Sequence, residues 1–154
     1  SVAPEGVEQM EVRILAAEDN PMNQLVLKTL LHQAGIEPTV VDNGAQAVEA
    51  WRTGRWDLIL MDVQMPVMDG PSAARSIRAE EAVQGLPPIP IIALTANAMA
   101  HQVAEYRASG MTDHVAKPID ARRLYQAISD ALDAAPAFDA VDANATGSAD
   151  EAAA

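Results

Sequence analysis

Residues 57 to 62, Asp57-Leu58-Ile59-Leu60-Met61-Asp62, set four consecutive apolar side chains between two carboxylates. An unbroken apolar run of this length, without polar alternation, predicts a strand covered on both faces, as in a parallel sheet packed between helices. The expected strand is Asp57 to Met61, and Asp62 closes it. An earlier run, Val12-Arg13-Ile14-Leu15-Ala16-Ala17, closes on Glu18-Asp19 in the same way. Three further runs, Glu37 to Asp42, Ile89 to Leu94 and Thr112 to Ala116, complete a set of five candidate strands.

Helix patterns fill the gaps between them. The first is the best signalled: Asn20 can cap, Pro21 suits the first helical position, and Leu25, Leu27, Leu30 and Leu31 supply apolar positions before Gly35 stops it. The others are expected over Gly44 to Thr53, Pro71 to Val83, Met99 to Ser109 and Asp120 to Ala134. Strict alternation of strands and helices implies an α/β fold, with helices on both faces of a parallel sheet.

The 154 residues fit one domain of ordinary size. Aromatics make up only 3% of the chain, so the core should be aliphatic. Residues 1–10 and 135–154 lack periodicity, the second stretch being Ala-rich and acidic, and both read as disordered linker or tail around a domain at 11–134. A start at Ser1 reads as an excised segment. The formal net charge of -12 argues against direct contact with nucleic acid, whose phosphates need basic patches. The chain has no Cys, which excludes disulfides, thiol catalysis and thiolate zinc sites. No apolar stretch approaches the roughly 20 residues of a membrane span, and no export signal is visible, so a cytoplasmic location is expected.

If the first and third strands are neighbours, Glu18, Asp19 and Asp62 converge at the carboxyl edge of the sheet, where open α/β folds bind their ligands. Three carboxylates repel one another unless a cation or protons neutralise them. Oxygen-only ligation by a few carboxylates suits Mg²⁺ better than Ca²⁺, with a backbone carbonyl just after Asp62 completing the shell. Two more residues end strands at that edge. Thr95 follows Ile91-Ile92-Ala93-Leu94, and Lys117 follows Thr112 to Ala116 and precedes Pro118. An ammonium and a hydroxyl beside a divalent ion make a site shaped for a tetrahedral anion, and a carboxylate can serve as a phosphoryl acceptor.

The strings Ile14-Leu15-Ala16-Ala17-Glu18-Asp19-Asn20, Asp62-Val63-Gln64-Met65-Pro66-Val67-Met68-Asp69-Gly70, Ala93-Leu94-Thr95-Ala96 and Lys117-Pro118 resemble response-regulator receiver domains of two-component signalling. The resemblance implies a flavodoxin-like, doubly wound five-stranded parallel sheet of order 2-1-3-4-5 with five helices. It also implies phosphorylation of one aspartate by a phosphohistidine on a histidine kinase or histidine phosphotransfer domain. By the same resemblance Asp62 is the phosphoacceptor. Glu18, Asp19, Asp62 and the Gln64 main-chain carbonyl hold Mg²⁺, for which Mn²⁺ can substitute. Thr95 is the switch hydroxyl, Ala96 its small neighbour, Lys117 the phosphate-binding lysine, and Pro118 follows a cis peptide bond. Gln64 and Asn97 fall where side chains tune loss of the phosphoryl group.

One position departs from the pattern. Where the family usually carries Tyr or Phe as a second switch residue, this chain has His114, whose charge can change near physiological pH. The string Glu18-Asp19-Asn20-Pro21-Met22-Asn23-Gln24, with Ala93 to Ala98, looks most like receivers joined to hybrid sensor histidine kinases. A stand-alone regulator or a phosphorelay intermediate is the alternative. An aspartate-nucleophile phosphatase is the remote one, because it would want an acid where Gln64 stands. A nucleotide-binding module would need a glycine-rich turn where Glu18-Asp19-Asn20-Pro21 lies.

Overall fold

A computed structural model describes residues 12–134. The expected linker at 1–10 and tail at 135–154 lie outside the described residues. In chain order the elements are β1 (Ile14–Ala17), α1 (Pro21–Gln33), β2 (Thr39–Val41), α2 (Gly44–Thr53), β3 (Leu58–Asp62), α3 (Gly70–Gln84), β4 (Ile91–Thr95), α4 (Ala100–Ala108), β5 (Asp113–Ala116) and α5 (Ala121–Ala134). All strand pairs are parallel, in the order β2-β1-β3-β4-β5. Among the described residues no helix is long and apolar enough to cross a membrane.

Side chains alternate across a strand, so the central strands sort their apolar residues onto two faces. Ile14, Ala16, Leu58, Leu60, Ile92 and Leu94 pack on one face against Leu27 and Leu31 of α1 and Leu124, Ala127 and Ile128 of α5. Leu15, Ala17, Ile59, Met61, Ile91 and Ala93 pack on the other face against α2, α3 and Tyr106 of α4. Each fully buried Leu or Ile contributes roughly 1.5–3 kcal/mol by leaving water. Both layers are needed, which explains why β1 is apolar throughout and β3 and β4 are apolar up to their last residues, Asp62 and Thr95.

The helix signals act as expected at α1. Asn20 Oδ1 accepts from the backbone N–H of Met22 at 2.8 Å and Asn23 at 3.2 Å, with Pro21 in the first turn. Its apolar face differs from the expected one: Leu27 and Leu31 are buried, while Leu25 is 57% exposed. Leu25 lies two residues before Leu27, roughly 200° around the helix, so both cannot face the sheet. Strand ends also shift. Asp62 and Thr95 belong to β3 and β4 as their last residues, because ladder bonds continue through them, with Asp62 opposite Leu94 and Thr95 opposite Ala116.

The register fixes the geometry of the carboxyl edge. Ala17 pairs with Met61, so Glu18 and Asp62 stand side by side one residue further on. The β3–α3 loop is pinned by Val63 N–H to Leu94 O at 3.1 Å and Gly70 N–H to Val63 O at 2.9 Å. A Cβ at Gly70 would overlap the Asp62 carbonyl oxygen, so glycine there lets the loop close tightly behind the acid.

Candidate functional site

Glu18, Asp19, Asp62, Gln64, Thr95, Ala96, Asn97 and Lys117 line one cleft of about 390 Å³ at the carboxyl edge. Strand ends supply most of them, which is why residues as distant as 18 and 117 meet. The Lys117 ammonium donates to Glu18 Oε1 at 3.0 Å and to Asp62 Oδ1 at 3.1 Å. The Lys117–Pro118 peptide bond is cis.

Glu18 is fully buried and Asp62 is 5% exposed. Asp19 is exposed. Carboxylate oxygens of all three lie within 4.8 Å of one another. Glu18 Oε2 also accepts from Asn20 N–H at 3.1 Å and from Asn23 Nδ2 at 3.4 Å, while Gln24 Nε2 donates to the Glu18 carbonyl at 2.6 Å and to Asp42 Oδ1 at 3.0 Å. Asp19, by contrast, has no hydrogen-bond partner among the described residues, and its carboxylate is free toward the cleft mouth.

Burial pushes the Asp62 carboxyl up from its ordinary 3.8 to about 6; the Lys117 hydrogen bond pulls it down, and the charge of Glu18 pushes it back up. Burial also pulls the Lys117 ammonium down, yet its bonds to Glu18 and Asp62 outweigh that, and it stands above its ordinary value. One ammonium therefore serves two buried acids with a third nearby. This excess of negative charge on an oxygen-only donor set fits a small hard divalent ion such as Mg²⁺.

A larger cleft of about 560 Å³ opens at the opposite edge of the sheet, among Arg13, Trp51, Arg55 and Trp56. Size does not select the site here; converging charge at the carboxyl ends of the strands does.

Thr95 is buried, and its hydroxyl is committed elsewhere than Asp62. Oγ1 donates to Asn97 O at 2.9 Å, accepts from Asn97 N–H at 2.9 Å, and lies 2.7 Å from the Tyr106 hydroxyl. His114 is outside the cleft lining. Its side chain is 28% exposed, its Nδ1 is buried without a hydrogen-bond partner, and that atom lies 3.8 Å from Asp113 Oδ1.

Three residues of the site were not singled out from the sequence. Asn23 and Gln24 carry a visible signal, since they follow Glu18-Asp19 within one helical turn of the cap. Tyr106 carries only a faint one, as an aromatic residue in a chain with few.

A doubly wound five-stranded sheet with an acidic cleft and one bridging lysine at its carboxyl edge is the architecture of a signal-receiver domain. The response regulator receiver domain family matches residues 14–129, and the chain belongs to that family, which serves two-component signalling. It is 47% identical over 116 residues to the sensor protein GacS of Pseudomonas syringae pv. syringae, a match covering 75% of this chain and 13% of that protein. The chain thus spans about an eighth of that relative's length. Among solved structures it is similar to the receiver domain of the sensor histidine kinase PA1611 of Pseudomonas aeruginosa PAO1, determined with magnesium coordinated in the active-site cleft. That likeness has a TM-score of 0.71 at 41% identity, covering 79% of this chain and 98% of that one. It is also similar to a co-crystal structure of the Saccharomyces cerevisiae histidine phosphotransfer protein Ypd1 with the receiver domain of Ssk1, with a TM-score of 0.75 at 33% identity, covering 79% and 88%.

Proposed function

We propose that this domain accepts a phosphoryl group on Asp62 from a phosphohistidine, in a Mg²⁺-dependent step of a phosphorelay, and that it is the receiver of a hybrid sensor histidine kinase. The single observation that carries the reading is the Lys117 ammonium bridging buried Glu18 and Asp62, with Asp19 in reach of both. In the step, an Asp62 carboxylate oxygen forms a bond to phosphorus as the histidine N–P bond breaks, and the electron pair returns to the histidine nitrogen. Asp62 is rigidly placed at a strand end, and Lys117 meets the charge that gathers on the phosphoryl oxygens. Glu18, Asp19, Asp62 and the Gln64 carbonyl would hold the ion, which when bound neutralises charge between the phosphoryl group and the carboxylates. Mn²⁺, with a similar preference for oxygen, would substitute. Gln64 and Asn97, at the cleft rim, would govern how readily water reaches the phosphorylated aspartate.

The donor's approach has a surface to match. Met22, Leu25 and Val26 on α1 are 68%, 57% and 38% exposed, an apolar patch beside the cleft. A histidine-bearing helix of a kinase or phosphotransfer domain would cover it.

The test incubates the domain with a small phosphodonor and Mg²⁺ and reads intact mass. Wild type should gain one phosphoryl group, a gain prevented when a chelator is present from the start, and Asp62→Asn should gain none. Unlabelled wild type, or equal labelling of Asp62→Asn, would sink the acceptor assignment. A separate expectation concerns Leu25→Glu. Placing a charge in an apolar contact should slow transfer from a phosphorylated histidine phosphotransfer domain by about tenfold, while labelling by the small donor stays at the wild-type rate. Slowing with both donors would remove α1 from the docking surface.

A further inference from the structure

We infer that Tyr106 on α4 is a positioning residue for Thr95, holding its hydroxyl turned away from Asp62 until phosphorylation, and that it fills the coupling role the sequence suggested for His114. The inference rests on the phosphoacceptor reading above and adds a residue to it. Tyr106 is 4% exposed, yet its phenol lies 2.7 Å from Thr95 Oγ1, to which it donates while Thr95 donates to Asn97 O, and its oxygen is 3.0 Å from Asn97 O. A buried phenol needs such partners, and it finds both of them on the β4–α4 segment. His114 makes no hydrogen bond to Thr95 among the described residues.

The consequence is a choice for one hydroxyl. Thr95 Oγ1 already donates to Asn97 O and accepts from Asn97 N–H, with Tyr106 OH against it. To donate to a phosphoryl oxygen on Asp62 it must leave these partners, and the phenol it leaves belongs to α4. Occupancy of the cleft is then linked to the position of α4 through a single buried bond. The bond favours the unphosphorylated arrangement, so removing it lowers the work of turning Thr95 inward.

Tyr106→Phe removes the phenol oxygen and keeps the ring in the core, while Thr95 retains both bonds to Asn97, so the fold should survive. Beryllofluoride with Mg²⁺, a phosphoryl mimic, is titrated calorimetrically into wild type, Tyr106→Phe, Thr95→Ala and the double variant. Tyr106→Phe should bind the mimic about fivefold more tightly than wild type, the value of one net hydrogen bond. In the Thr95→Ala background the same substitution should change nothing, because the coupled partner is gone. Equal affinities of wild type and Tyr106→Phe would overturn the inference, and so would an equal gain in both backgrounds, which marks a merely structural effect. Absence of binding by wild type would instead overturn the phosphoacceptor reading, and this inference with it.

Discussion

Lys117→Met should slow labelling of Asp62 by a small phosphodonor by about a hundredfold while leaving Mg²⁺ affinity undiminished. The ammonium stands 3.0 Å from Glu18 and 3.1 Å from Asp62, in a cleft where the Lys117 side chain is only 20% exposed. Charge aimed from a fixed position at a developing oxyanion is worth on the order of 10²–10³ in rate, since little water competes with it. Metal binding responds with the opposite sign. Removing a cation from beside two carboxylates makes the cluster more attractive to another cation. Glu18 keeps its bonds from Asn20 and Asn23, so one buried acid is still partly satisfied and the folded state persists at saturating Mg²⁺. Lys117→Arg restores the charge without the compact ammonium, and should recover only part of the rate. Labelling rates and Mg²⁺ titrations on the same three proteins check this. A Lys117→Met rate within threefold of wild type would remove Lys117 from the chemistry, and lost metal affinity would mean that the cluster had rearranged.

Asp62→Asn should make the protein more stable in the absence of Mg²⁺, by about 1–2 kcal/mol at pH 7, or about 4–8 °C in melting temperature for a domain of this size. The folded state holds the Asp62 proton up to about pH 6, whereas the ordinary value is 3.8. Folding therefore takes up a proton between those values, and stability falls as pH rises through that window, levelling above about 6. Asparagine keeps the shape and an acceptor for Lys117 but has no charge to lose. Its advantage should accordingly vanish near pH 4, grow to pH 6 and then stay constant. The full shift would convert to a larger gain, but loss of the charged pair with Lys117 and water at the cleft mouth reduce it. Mg²⁺ should reverse the ranking by stabilising wild type more than the variant, since a ligand that binds only the folded state adds to its stability. Thermal melts across pH 4–8, with and without Mg²⁺, decide the matter. A gain that is the same at pH 4 and pH 7 would show that charge burial is not its cause.

Both expectations expose a tension built into the site. The carboxylates that assemble it are unfavourable to fold around, and the helices and strands that bury Leu58, Leu60, Ile92 and Leu94 supply the opposing stability.

How far the sequence reaches can be judged residue by residue. The apolar run at Leu58 to Met61 forces a strand covered on both faces, because only helices above and below can keep alternate side chains out of water. Asn20-Pro21 starts a helix through local bonds alone. Strand ends carrying Glu18, Asp62 and Thr95 are thus legible, since each is set by where an apolar run stops, whereas Lys117 follows the mixed stretch Asp113-His114-Val115-Ala116. Leu25 is the counterexample: hydrophobicity marked it for the core, and helical rotation relative to Leu27 and Leu31 left it outside. Thr95 and Tyr106 are eleven residues apart in chain and 2.7 Å apart in space, and nothing local announces that α4 folds back so that its phenol meets the end of β4. His114 shows the converse: its position in the sequence singles it out, while its place outside the cleft lining and its unpartnered Nδ1 are matters of packing.

What the sequence determined by itself is the alternation of elements, the doubly covered sheet and the acids at its carboxyl edge, because period, caps and run length are short-range properties of the chain. Only the tertiary structure decided that Lys117 bridges Glu18 and Asp62 across 99 and 55 residues of separation, and which partner holds the Thr95 hydroxyl. Those contacts depend on strand register and helix docking, which the whole core sets at once through the burial of its apolar faces.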